Sequence, residues 1–214
     1  MPQGAKRRIV SVSTDSAKVT DLIGHLGDTD ESRRKAAASS LFTLGANLAW
    51  PLADAWMADA ELAALFVTER YGDPRTTYPE TTVGVAVSPG NFMRIRAAHG
   101  DPAEAGVPPD QDAREIELHP AAGVRLDILT SRNPGGTGAL ARFLQRNGEG
   151  IQQVEFRVRD AARAQELLRA KFRLTPVYPT ARPGANGTVV NFFLLPASGG
   201  EKVLVELFEV PQPL

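Results

Sequence analysis

The chain has 214 residues, 43% of them apolar and 23% charged, the make-up of a globular protein that can close a core without disulfides. Lys and Arg number 24 against 25 Asp and Glu, and a net charge of −1 lacks the basic excess expected of a nucleic-acid binder. There is no cysteine, which excludes disulfides, thiolate metal sites and cysteine nucleophiles.

Residues 1–14 carry two arginines and a lysine but only a short apolar run, Ile9 to Val12, too little for a signal peptide. A short strand is expected over 8–13, and the region up to about residue 78 then reads as mostly helical. Asp30 is placed to cap a helix through Ser32, Lys35, Ala38, Leu41, Phe42 and Leu48. The stretch 36–53 has no charge, but Ser39, Ser40, Thr43, Gly45, Asn47 and Pro51 make it a poor membrane span. A helix packed on the protein's own core is expected instead. Pro51 suits the first position of a further helix with Leu52, Ala55 and Trp56. A last helix over 59–70 puts Leu62, Leu65 and Phe66 on one face, before Gly72, Asp73 and Pro74 end it.

The texture then changes. Thr81-Thr82-Val83-Gly84-Val85-Ala86-Val87 alternates with period two, as a strand does, and Ser88-Pro89 opens a helix bearing Phe92, Ile95 and Ala98. A Pro-, Gly- and Asp-rich loop over 101–112 leads to strands at 114–119 and 124–129, joined by a turn at 120–123. The segment 131–148 reads as a linker with a helix. The earlier order then recurs: a strand at 151–158, a helix capped by Asp160 with Ala164, Leu167, Leu168 and Phe172 inside, and a Pro- and Gly-broken loop over 175–187 with a short strand near Val177. Closing strands follow at 189–195 and 203–208. The chain thus reads as α+β: two βαβββ modules, 79–130 and 149–211, whose mixed sheet curls around a cup, behind a helical extension over 1–78.

Strand parity sorts the side chains. Val83, Val85, Val87, Val154, Phe156, Val158, Val124, Leu126, Ile128, Val203, Val205 and Leu207 form the dry face. The opposite face carries Thr82, Gly84 and Ala86; Gln153, Glu155 and Arg157; Arg125 and Asp127; Leu204, Glu206 and Phe208; and Glu115, Glu117 and His119. Curled together, these faces line a concavity that pushes carboxylate pKa values apart and shields a ligand.

The segments 126–129, 135–147 and Gly148-Glu149-Gly150-Ile151-Gln152-Gln153-Val154-Glu155-Phe156, with the ending Lys202-Val203-Leu204-Val205-Glu206-Leu207, resemble the vicinal oxygen chelate superfamily. Its methylmalonyl-CoA epimerase and glyoxalase branch is the most similar. The resemblance covers about 81–210 and leaves the first 80 residues outside it. It implies a divalent metal in the cup, held by His, Gln or Glu, His and Glu. Carried over by position, those sites fall on Thr82, Asp127, Gln153 and Glu206, so both acidic positions match and both histidines are replaced. Oxygen donors of this kind suit Mg²⁺, Mn²⁺ or Ca²⁺ better than Zn²⁺. His119, on the same side, is a further candidate ligand.

The resemblance implies an epimerase, isomerase or lyase acting by metal- or carboxylate-assisted enolisation. Glu206, Asp127 and Glu117 are the candidate bases, and Arg125, Gln153, Glu155, Arg157, His119, Phe193 and Phe208 the ligand contacts. The alternative is a binder of the same fold that sequesters a small molecule, with Phe193, Phe208 and Leu204 as its apolar contacts. The N-terminal region is open to three roles: a lid, a dimerisation arm or a partner surface, with Trp50, Trp56 and Tyr71 in its core. A small-molecule ligand, a cytoplasmic location and a homodimer are expected, and nucleic acid and membrane are not. No phosphate-binding loop, nucleophile elbow or histidine cluster occurs, and Gly135-Gly136-Thr137-Gly138 reads as part of the linker.

Overall fold

The computed structural model describes residues 16–71, 77–197 and 202–210; the strand expected at 8–13 and the stop at Gly72, Asp73 and Pro74 lie outside them. The chain begins with α1 (Ser16–Leu26) and α2 (Glu31–Met57). The Asp30 side chain accepts from the N–H groups of Ser32 (2.8 Å) and Arg33 (3.2 Å), satisfying two of the donors that a helix start leaves free. Pro51 does not open a new helix; it lies inside α2, which continues for 27 residues. Its ring forgoes one backbone bond, a loss offset by the tertiary packing of Ala49, Ala53 and Trp56 on either side of it.

The uncharged stretch 36–53 carries the buried stripe of α2, made largely of small residues such as Ala37, Ala38, Gly45, Ala46, Ala49 and Ala53. Gly45 sets the closeness of contact, since a methyl group there would meet Cγ1 of Val83 at 2.4 Å. No helix among the described residues is long and apolar enough to cross a membrane.

The helix expected over 59–70 lasts one turn, α3 (Ala60–Ala63), capped by Asp59. Phe66 instead bridges to Val158, and β1 (Thr68–Arg70) pairs antiparallel with β2 (Thr77–Pro79). Burial of Phe66 and the β-branched pair Val67-Thr68 outweigh the local helical pattern.

The remaining elements are β3 (Thr81–Ala86), α4 (Pro89–Ala98), β4 (Ala113–Ala121), β5 (Val124–Ser131), α5 (Ala139–Asn147), β6 (Gly150–Arg157), α6 (Ala161–Phe172), β7 (Arg182–Pro183), β8 (Val189–Pro196) and β9 (Lys202–Glu209). Ser88 caps α4 and Asp160 caps α6, as their sequence positions suggest. Strands β3 to β9 form one mixed sheet in the order β4-β5-β3-β6-β9-β8-β7. The parallel pairs β3·β5 and β6·β9 flank an antiparallel seam, β3·β6, where Val83 faces Val154. The order reads the same outward from that seam to β4 and β8, which is the pseudo-twofold relation of the two units. The second unit adds the two-residue β7 at its edge.

Two apolar clusters lie behind the sheet. Val83, Val85, Ile116, Leu126 and Ile128 pack under Phe92 and Ile95 of α4, and Val154, Phe156, Phe193, Val205 and Leu207 pack under Leu167 and Leu168 of α6. Helix α2 enters both, through Leu41 and Phe42 in the first and through Ala53 and Trp56 in the second. Helices α1 and α2 therefore back the sheet on its dry side, away from the cup, and do not form a lid over it.

Candidate functional site

With the dry face occupied, the alternate side chains of six strands are left to line one cavity of about 920 Å³. Of the residues singled out in the sequence, Thr82, Glu117, His119, Arg125, Asp127, Gln153, Glu155, Arg157, Glu206 and Phe208 all face it. Phe193 does not. It is fully buried in the core beneath α6, opposite Val205 in the β8·β9 ladder, while Phe192, opposite Glu206, supplies the aromatic face of the cup.

The centre of the floor is a hydrogen-bonded set. The Gln153 amide nitrogen donates to Glu206 Oε2 at 2.7 Å and to Glu155 Oε1 at 2.9 Å. Asp127 and Glu155 are in side-chain contact on the same floor, and each influences the other's proton affinity. Asp127, Glu155 and Glu206 are all buried. Burial raises the proton affinity of each, and the nearby Glu155 charge raises Asp127 and Glu206 further. Glu115, which the sequence placed on this face without a role, is pushed up to about 8 by burial and by Glu155 and Glu117.

Curvature creates this coupling. Glu115 stands on β4 and Glu206 on β9, four strands apart, which is about 19 Å in a flat sheet. Both nonetheless line the same cavity, so the two walls face each other across the cup.

Gly84 makes room for the arrangement. It lies between Asp127 and Gln153 in the ladder, and a methyl group on it would come within 2.6 Å of Gln153 Cγ. Gly84→Ala is expected to lift Gln153 off the floor and to lower the activity of the site by about tenfold to a hundredfold. The melting temperature should shift by only a few degrees; parallel thermal melts and activity assays on the variant check both.

At the rim the charges are paired. Glu117 and His119 meet at 2.8 Å, both half exposed. Arg125 bonds Glu69 at 2.7 Å and Arg157 bonds Glu80 at 3.4 Å, so residues before β3 hold both cup-facing guanidinium groups. Across the open side, the loop before β4 is clasped to the loop before β8. Gly106 N–H donates to Asn186 Oδ1 (2.8 Å), Asn186 N–H to Gly106 O (3.2 Å) and Gln111 Nε2 to Pro183 O (2.8 Å), and Asp110 pairs with Arg182.

The metal implied by the resemblance is tested by the donors present. Thr82 offers a hydroxyl and Gln153 an amide that turns its nitrogen, not its oxygen, toward the carboxylates. Among the described residues, no three His, Cys, Asp or Glu side chains converge as a metal-ligand group. These residues do not fit a resident metal.

No family model and no curated protein matches the sequence. Solved structures do. The crystal structure of methylmalonyl-CoA epimerase from Mycobacterium tuberculosis is similar at 30% identity and a TM-score of 0.51, over 62% of this chain and 87% of that one. A selenomethionine-labelled methylmalonyl-CoA epimerase aligns at 23% identity and a TM-score of 0.51, over 69% of this chain and 98% of that one. The second likeness is one of fold.

Proposed function

We propose, for a chain that belongs by fold to the vicinal oxygen chelate superfamily, that the cup is the active site of a small-molecule enzyme of the epimerase or isomerase type. Its reaction is proton transfer at a carbon next to a carbonyl, carried out by carboxyl groups. The observation that carries this reading is the set of buried carboxyls on both walls with raised proton affinity. Proton transfer at neutral pH needs groups of this kind, one free to accept and one holding a proton to give.

In this reading Glu206, on the wall of the second unit, accepts the proton from carbon. Gln153 fixes its carboxylate through the 2.7 Å hydrogen bond. Glu115, on the wall of the first unit, holds its proton up to about pH 8 and donates a hydrogen bond to the developing enolate oxygen or returns a proton to the opposite face. Asp127, whose carboxyl burial pushes well above the ordinary carboxylate range, is the second donor on that wall. Glu117 is exposed beside His119 at the rim and is the least suited of the candidate bases. Phe192, Phe208 and Leu204 supply apolar contact.

The test is hydrogen exchange. Incubation in D₂O with methylmalonyl-CoA, 2-keto acids and amino ketones, followed by proton NMR, should show one class losing its α-hydrogen in the presence of the protein. The same class should keep it in the presence of Glu206→Gln. If none of these compounds exchanges, the enzyme reading fails. A second reading, a binder that sequesters its ligand without turnover, is favoured by the replacement of both family histidines by Thr82 and Gln153.

A further inference from the structure

Part of the wall of the cup is loop rather than strand. Strands β4 and β7 are the two edges of the sheet, six strand spacings apart, which would be about 29 Å in a flat sheet. Yet Gln111, just before β4, donates a hydrogen bond to the carbonyl of Pro183 in β7 at 2.8 Å. Around that contact Gly106 and Asn186 exchange two further hydrogen bonds, and Asp110 pairs with Arg182. Val107, Asp110 and Gln111 of the first loop and Arg182, Gly184 and Asn186 of the second all line the cavity. The two loops therefore bridge the gap between the sheet edges and bound the cup on that side.

This closure is firm at its base and weak at its tip. In the second loop, Val177 N–H donates to Phe192 O at 2.7 Å, Asn191 Nδ2 to Tyr178 O at 3.0 Å and Gln165 Nε2 to Pro179 O at 2.9 Å. Asn191 and Gln165 are buried, so the bonds that anchor this base are shielded from water. The contacts across the tips join exposed polar groups, which water replaces at little cost. The Asp110 side chain is 69% exposed. Arg182 lies 4.7 Å from the centre of the Tyr178 ring, so it keeps a place on the fixed base when Asp110 leaves it. Left-handed backbone marks where each tip joins its strand, at Asp112 (φ 46°) before β4 and at Asn186 (φ 51°) and Gly187 (φ 78°) before β8.

We propose that these two loops are the gate of the cup. The tips at 106–111 and 180–187 part to admit a small molecule and close behind it, with the Asp110–Arg182 pair as the latch and the left-handed residues as hinges. This rests on the reading of the cup as the ligand site and adds how that site is reached. Closure also keeps bulk water from the buried carboxyls while a proton is moved.

The chain has no cysteine, so a disulfide placed across the clasp has no competitor. A methyl group on Gly106 would stand 3.6 Å from Asn186 Oδ1, which makes Gly106→Cys with Asn186→Cys the pair that locks the tips together. The probe is a water-soluble carbodiimide with glycine ethyl ester, which couples to carboxyl groups and is read by peptide mass spectrometry on the full chain. Buried Asp127 and Glu206 report from inside the cup, and exposed Asp54 reports from the surface. In the oxidised double variant, Asp127 and Glu206 are expected to react at least about tenfold more slowly than after reduction with dithiothreitol, with Asp54 unchanged. Asp110→Ala, which undoes the latch, should speed the same two carboxyls by about twofold to fivefold over wild type. Equal rates in the oxidised and reduced forms, or an Asp110→Ala rate no higher than wild type, would overturn the gate. So would two cysteines that do not join under oxidant, since the tips would then not be neighbours. Labelling that follows the disulfide without α-hydrogen exchange sinks only the enzyme reading. Exchange in a protein whose labelling ignores the disulfide sinks only the gate.

Discussion

Glu206→Gln is expected to lower turnover by about 10²- to 10⁴-fold while leaving ligand affinity within a few fold. The substitution keeps the volume and an oxygen that can accept the Gln153 hydrogen bond, so the floor should keep its shape. What it removes is the only group on the second wall that this account assigns as proton acceptor. A parallel fall in binding and turnover would mean that Glu206 shapes the cup rather than reacting in it. The check is a kcat and KM comparison on whichever compound exchanges its α-hydrogen, with calorimetry for affinity. Undiminished turnover would remove Glu206 from the reaction.

The second large effect is on stability. Burial and the neighbouring carboxyls push the Glu115 carboxyl up from its ordinary 4.5 to about 8, so the folded chain holds a proton that the unfolded chain releases. Between those values the folded state binds more protons, and stability therefore falls as pH rises, the loss being complete above about 8. Asp127, Glu155 and Glu206 are shifted in the same direction and add to the trend. The protein should melt highest in mildly acidic buffer and lose stability steadily toward pH 9. Glu115→Gln should remove part of that slope and raise stability at pH 9 by about 2–4 kcal/mol, or roughly 5–12 °C for a chain of this size. At pH 5, where the wild-type carboxyl is already protonated when folded, the variant should gain little. Thermal melts from pH 5 to 9 on both proteins check this, and a flat wild-type profile would mean that the cup carboxyls ionise normally.

The cup was legible because a two-residue period sorts the strand centres: Val83 and Val85, Leu126 and Ile128, Val154 and Phe156, and Val205 and Leu207 are all fully buried on one face, and the other face is then the wet one. The same rule failed on Asn191-Phe192-Phe193-Leu194, where apolar residues occupy both parities and composition cannot say which phenylalanine faces out. The pairing of Phe192 with Glu206 decides it. Helix signals were reliable where a side chain caps its own backbone, at Asp30, Ser88 and Asp160. They failed where distant packing prevails, with Pro51 retained inside α2 and the segment after Ala63 drawn out to meet Val158. Glu115 was visible on the correct face, but its altered proton affinity arises from Glu155 and Glu117 and from the curl of the sheet. No local pattern encodes that. The clasp between Asp110 and Arg182 joins residues 72 positions apart and left no trace in the chain either.

The central claim is that carboxyl groups in the cup still carry protons at neutral pH. Infrared difference spectroscopy in D₂O, following the carbonyl stretch of protonated carboxyl groups from pH 5 to 9, tests it directly. The account predicts bands that persist at pH 7, one lost in Asp127→Asn and one in Glu115→Gln that otherwise disappears with a midpoint near pH 8. A wild-type spectrum with no protonated carboxyl left at pH 7 would contradict it.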